Sequence, residues 1–438
     1  MLDKHTHSSS HIERETTNSD KVGNNGKENP TSNHLGYNPH YEGTPLTDFA
    51  SITPETPLET LNLNWREQDL PERLRTKHVH RLHPYLGKFI PQLVEIFLRK
   101  FAPQRVCDPF MGSGTTLVEA NSLGIESIGC DISPFNCLIS KVKTDSYDIE
   151  LLSKELKDIA FKVHLEANNA LFDVGAKYKP TDYLKDWFAE KALRQLLTYL
   201  HHISDYQYQD VMKVVLSRAA RSARLVTHHQ LDFPDQPQRE PYQCRKHFRI
   251  CQPTDDASRF LHRYSLDTLR RIKDFSKIRT DASVKIMCGD SREVTFPKHD
   301  MIFTSPPYVG LIDYHEQHRY AYELLSLLPN PFASVGWWYD DPRANEPLEI
   351  GAASKGSANG ARQDYIEGIA AVFHNARKSL NPDGVCVIVA ADKKGMYPEI
   401  ANKAGFAQET VVERHVNRRT GRRTSDFYEK IMVWRRND

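Results

Sequence analysis

Two short strings hold the residues whose types and spacing suit chemistry. The first is FTSPPY, residues 303–308. Ser305 offers a hydroxyl, and Pro306 and Pro307 offer carbonyls on a backbone stiffened by two rings. Rigid acceptors of this kind suit a conjugated amino group. Such a nitrogen is a poor nucleophile because its lone pair is shared with a ring. Acceptors aimed at its hydrogens localise that pair and turn it towards an electrophilic methyl carbon. Tyr308 adds an aromatic face on which a flipped base can stack. No cysteine lies in the string, so no covalent adduct is required. Taken alone, the string reads equally as a Pro-Pro turn closing a strand.

The second string is VCDPFMGSGTTLVEA, residues 106–120. Gly112 and Gly114 let the backbone turn tightly and approach a ligand closely. The loop leads into a helix, whose first amides favour a carboxylate or phosphate. Asp108, just before the turn, accepts from a ligand amine or orders the loop. Asp131 ends the next apolar run about 20 residues on, where an acid binds ribose hydroxyls. The pattern is FxGxG, not GxGxxG, and lacks a phosphate-binding lysine. A dinucleotide turn, or a glycine turn without a ligand, is the plainer reading. Asp290, closing VKIMCGD, is placed either to accept from an adenine amine or to cap a turn.

These residues need a scaffold that brings them together. Residues 91–100 have the spacing of an amphipathic helix, 104–108 of a strand, 116–123 of a helix and 127–131 of a second strand. That order opens a doubly wound α/β sheet. Residues 151–280 are dominated by helical patterns (150–165, 184–203, 213–225, 257–278), broken by a Pro/Gln/His-rich loop at 227–240. The sheet resumes with two buried strands, 284–290 and 300–305, and a helix over 313–328. A long Gly/Ser/Pro/Asn-rich loop, 329–362, is a lid, a binding loop or a disordered segment by its length. A helix over 364–380, an NPDG turn at 381–384 and a strand over 385–391 follow. A helix over 398–404 and strands near 407–414 and 427–434 bring the expected count to about seven strands.

DPFMGSGTT and TSPPY resemble the cofactor loop and catalytic tetrapeptide of the amino-methyltransferases that modify cytosine N4 or adenine N6 in DNA. The resemblance covers about residues 75–145 and 282–438. It implies a Rossmann-like α/β fold, S-adenosyl-L-methionine as cofactor and double-stranded DNA as partner. It assigns catalysis to Ser305, Pro306, Pro307 and Tyr308. It places Asp108, Phe110, Gly112, Gly114, Thr115, Thr116, Asp131, Ile132 and Asp290 at the cofactor. HPYLGKFIPQLVE, residues 83–95, resembles the family's further pocket segment and adds Tyr85, Lys88, Phe89 and Pro91. The family's adenine enzymes usually carry Asp or Asn where this chain has Ser305, and the Ser form is typical of cytosine-N4 enzymes. Methylation of cytosine N4 is therefore expected, with adenine N6 as the nearer alternative. An RNA guanine-N2 methyltransferase and an inactive DNA-binding protein of the same fold are the others. A cognate restriction endonuclease is an expected partner. The implied organisation is a polar tail (1–45), a first core part (72–150), a helical insertion serving target recognition (151–281) and a second core part (282–438).

Composition constrains the rest. The 438 residues carry 58 Lys and Arg against 57 Asp and Glu, so any DNA-binding surface must be a local patch. Arg218, Arg221 and Arg224 share a helix face that suits phosphates, with further basic clusters at Arg239, Arg245, Lys246 and Arg249 and at Arg259, Arg263, Arg270 and Arg271, and HVNRRTGRR, 415–423, is a basic turn. The alternative for all of these is a solvated surface. Seven scattered cysteines argue against a disulfide framework and for a reducing, cytoplasmic setting. No run is apolar enough for a membrane span. Cys244, His247 and Cys251 approach a zinc pattern, but the spacing is not standard and the fourth ligand, with His228 and His229 upstream, is unassigned. They read as ordinary residues, and no metal ligand is assigned.

Overall fold

Strands buried on both faces need apolar side chains at successive positions, and the central strands here have them. The computed structural model describes residues 44–167, 174–416 and 427–438. The strands in chain order are β1 (Arg105–Asp108), β2 (Glu126–Asp131), β3 (Tyr242–Cys244), β4 (Arg249–Cys251), β5 (Val284–Cys288), β6 (His299–Thr304), β7 (Leu380–Ala390), β8 (Phe406–Val416) and β9 (Phe427–Arg436). Seven form one sheet in the order β5-β2-β1-β6-β7-β9-β8, and β3 with β4 forms a separate hairpin. Only β9 runs antiparallel to its sheet neighbours. The chain order reverses between β1 and β6, which is where an open α/β sheet forms its ligand crevice.

Alternation along the strands builds the two faces. Val106, Met301, Phe303, Val385 and Val387 pack with the Pro91–Phe101 helix on one side. Cys107, Ile302, Cys386 and Ile388 face the Asn359–Arg377 and Tyr397–Ala404 helices on the other. Pro91 opens its helix at the position where a missing N–H costs nothing, and Ala102 ends it in the left-handed region. A third cluster joins the Pro134–Thr144 helix to the Ile149–Glu166, Glu190–His202, Gln209–Ala223 and Ser258–Phe275 helices. The helical block thus shares its core with helices that flank the sheet.

Four readings of the sequence need correction. The run 284–290 is not a fully buried strand: β5 is the sheet edge and mostly half-buried. Its apolar residues, interrupted by Lys285, serve the helical block on one face and the sheet core on the other. The single helix expected over 184–203 is two, because Phe188 takes an extended backbone (φ −129°, ψ 143°) between Asp182–Trp187 and Glu190–His202. NPDG does not precede a strand but lies within β7, where the pairing with β6 shifts register. The 329–362 loop is not featureless: it holds three short 3-10 turns, and its last residues already belong to the Asn359–Arg377 helix. The tail expected over 1–45 lies, but for its last two residues, outside the described residues, as does the 415–423 turn beyond Val416. Among the described residues no helix is long and apolar enough to cross a membrane.

Candidate active site

Parallel pairing of β1 with β6, Val106 opposite Met301 and Cys107 opposite Ile302, brings the ends of both strands out side by side. The glycine turn leaves one and Ser305 leaves the other. Asp108 ties them together. Its buried carboxylate accepts from the Phe110 amide (3.1 Å), the Thr116 hydroxyl (2.6 Å) and the Thr304 hydroxyl (2.6 Å). The loop, the helix after it and the residue before Ser305 are thereby held on one group. Of the two roles open to Asp108 in the sequence, the structure displays loop ordering. Burial raises its pKa to about 6, and the three hydrogen bonds oppose that rise.

Glycine is required at two points of the turn. Gly112 (φ +48°) and Gly114 (φ +76°) are left-handed, and a side chain on Gly114 would begin 2.8 Å from the Ser140 Oγ. The Gly112 amide donates to Asp131 Oδ2 at 2.9 Å, while Asp131 Oδ1 accepts from the Ser133 amide (2.9 Å) and Asn136 Nδ2 (3.1 Å). Burial raises Asp131 to about 6 as well.

Between the two loops lies a cavity partly open to solvent. Tyr85, Phe110, Asp131, Ile132, Asp290, Ser305 and Pro307 line it, all of them expected from the sequence. Tyr85 is fixed by stacking on Tyr314, with centroids 5.5 Å apart. Asp290 both lines the cavity and caps its turn, accepting from the Arg292 amide and side chain at 2.9 Å. The remaining expected residues are not in the lining. Lys88 spends its Nζ on the His80 carbonyl (2.7 Å), and burial lowers its pKa to about 8. Phe89 meets Phe303 edge-on in the core, and Pro91, Thr115 and Thr116 are buried in their helices. Gly112 and Gly114 shape the wall through the backbone. Pro306 is buried and Tyr308 half-buried, and the Tyr308 phenol, pushed up by burial, interacts with the Ser305 side chain.

The Pro-Pro pair offers its two carbonyls unequally. The Tyr365 hydroxyl donates to the Pro307 carbonyl at 2.8 Å. Among the described residues no hydrogen bond reaches the Pro306 carbonyl. Several lining residues were not expected. Asn136 and Tyr314 come from helices, and Leu348, Glu349 and Ile350 come from the long loop. Glu349 is buried and accepts from the amides of Tyr314 (3.2 Å) and His315 (3.0 Å) and from the His315 ring, pinning the loop to the cavity. Asn136 stands five residues past Asp131 at a helix start, a position that a closer reading could have flagged. Nothing in the sequence singles out Glu349.

The expected basic face is not a free one. Arg218 is buried, pairs with Asp267 at 2.8 Å and lies over the Tyr264 ring. Arg221 pairs with Asp232, and Arg224 donates to the Leu231 carbonyl at 2.6 Å beneath the Tyr320 ring. These arginines hold the helical block together. Exposed basic groups lie instead on the β3–β4 turn, at Arg245, Lys246 and Arg249, and at Arg259, Arg263 and Arg270.

The cavity fits an adenosyl cofactor: an acid closes β2, aromatic and aliphatic side chains flank it, and the buried Asn136 Oδ1 has no partner among the described residues. Comparison with known proteins agrees. The family profile described as DNA methylase matches residues 73–142. A Type II methyltransferase, M.MjaII of Methanocaldococcus jannaschii, is 39% identical, the match covering 83% of this chain and 81% of that one. The Type II methyltransferase M.MvaI of Kocuria varians is 25% identical over 52% of this chain and 53% of its own. Among solved structures, TrmN from Thermus thermophilus aligns with a TM-score of 0.32 at 12% identity, over 83% of this chain and 53% of that one.

Proposed function

Since this chain belongs to the DNA amino-methyltransferase family and uses S-adenosylmethionine, we propose that it methylates the exocyclic N4 amino group of cytosine in double-stranded DNA. Ser305, at the head of the tetrapeptide, is the observation that carries the choice of base. Bound in the cavity, S-adenosylmethionine supplies an electrophilic methyl carbon on sulfur. Asp131 would accept from the ribose hydroxyls, Tyr85 and Ile132 would flank the adenosine, and Asp290, held by Arg292 on both oxygens, would take the adenine amine as a further donor. A flipped cytosine stacks on Tyr308. The Ser305 hydroxyl and the Pro306 carbonyl accept its two amino hydrogens, turning the nitrogen lone pair towards the methyl carbon. Tyr365 supports this geometry by occupying the neighbouring carbonyl of Pro307. Once methylated, the nitrogen is cationic and sheds its proton through these acceptors to water.

The helical block 151–281 serves target recognition in this reading. Its exposed β3–β4 turn, with Arg245, Lys246 and Arg249, meets DNA phosphates. The Type II designation of the relatives supports a role beside a cognate restriction endonuclease. The test is nucleoside analysis of DNA incubated with the protein and S-adenosylmethionine. N4-methyldeoxycytidine is expected; N6-methyldeoxyadenosine would keep the enzyme class and replace the base.

A further inference from the structure

The loop after the Gln209–Ala223 helix gathers four side chains with no part in methyl transfer. His228, Cys244, His247 and Cys251 each bring one nitrogen or sulfur, and the four atoms lie within 4.8 Å of one another. His228 Nδ1 is 3.5 Å from Cys244 Sγ, which is 3.7 Å from His247 Nδ1. His247 Nδ1 is 3.4 Å from Cys251 Sγ. Bonds of about 2.3 Å from zinc to sulfur and about 2.0–2.1 Å to nitrogen give tetrahedral sulfur–nitrogen edges of about 3.6 Å. All three measured edges fall close to that length.

From this geometry we propose that His228, Cys244, His247 and Cys251 bind one structural Zn2+ ion. The donor set, two thiolates and two imidazoles, selects zinc over harder cations. With all four positions filled by protein, the ion has no open site and does no chemistry on substrate. His229, next to His228, is not in the cluster. Binding deprotonates the two thiols and exchanges the 2.9 Å contact of His228 Nδ1 with the Tyr242 hydroxyl for a bond to the metal. Tyr242 keeps the His228 amide as a donor, at 3.1 Å.

A second observation points the same way. The β3–β4 hairpin has three residues per strand, too few to be stable on its own pairing. Phe248 is 87% exposed and Ile250 68%, so its apolar side chains do not anchor it. Cys244, beside the turn, and Cys251, at the open end, are by contrast buried. A metal crosslink supplies the missing anchor, as it does in other small folds. The sequence hid the site because its spacings, 15 residues from His228 to Cys244 and then CxxHxxxC, are not a standard pattern.

The test is elemental analysis of the full-length protein purified without chelators. About one zinc per chain is expected, falling to near zero in Cys251→Ser and His247→Ala and unchanged in His229→Ala. Replacement by Co2+ should give the visible bands of a tetrahedral thiolate site. Chelation should open residues 227–256 to protease. Metal-free protein that takes up neither ion would overturn the proposal. So would zinc retained in full by Cys251→Ser, or a Cys244–Cys251 disulfide recovered under reducing lysis in place of the metal.

Discussion

At the scale of single residues, the site rests on acceptors whose positions are set by neighbours. Ser305→Ala removes one acceptor for the amino hydrogens. Transfer is expected to fall about 100-fold or more in single-turnover assays, the usual loss for a preorganised polar group. Cofactor affinity by calorimetry should be unchanged. Tyr308→Ala should act likewise through the lost stacking face. Asp131 titrates near pH 6 and must be ionised to accept from ribose. Cofactor affinity should therefore be full above about pH 7 and decline as pH falls through about 6, a dependence that Asp131→Asn removes. For folding the sign is opposite. With its pKa raised, ionised Asp131 disfavours the folded state, by an amount that grows from the ordinary carboxylate range to about pH 6 and is constant above. Ser305, Asp131 and Asp290 were legible because their residue types sit at strand ends. Thr304 was not: in sequence it is one more residue of a buried strand, and only the fold brings its hydroxyl to Asp108.

At the scale of elements, the question is what keeps the two loops in register. Thr304→Val leaves a buried carboxylate oxygen one donor short, and a cost of about 1–3 kcal/mol is expected in denaturant unfolding. Gly114→Ala forces a side chain into left-handed backbone against Ser140, for a loss of about 2 kcal/mol. The central strands and their helices were readable from periodicity. Misreadings fell where tertiary contacts override local pattern: β5, apolar yet at an edge; the break at Phe188; and the 345–350 stretch, whose place at the cavity depends on Glu349 binding the start of the distant Tyr314–Gln317 helical turn.

For the whole molecule, sheet and helical block share apolar packing, and buried charge ties the helices of the block to one another. Arg218→Ala removes a buried charged hydrogen bond but leaves Asp267 paired with Arg270 and Arg271, and should destabilise the protein by about 1–3 kcal/mol, read by thermal and denaturant unfolding. Changing Arg245, Lys246 and Arg249 together to Ala should leave stability nearly unchanged. DNA binding should weaken, and the salt dependence of its affinity should flatten by about three counterions. A net charge of +1 could not distinguish these two sets of arginines. Burial does, because one set is consumed by internal carboxylates, carbonyls and rings and the other faces water.

Everything above depends on the cofactor's sulfur facing the tetrapeptide across the crevice between β1 and β6. A crystal structure with bound S-adenosylhomocysteine reads this directly. The ribose hydroxyls should lie on Asp131 and the sulfur should point at Ser305 and the Pro306 carbonyl. A ligand seated elsewhere, or one whose sulfur points away from Ser305, would contradict the mechanism.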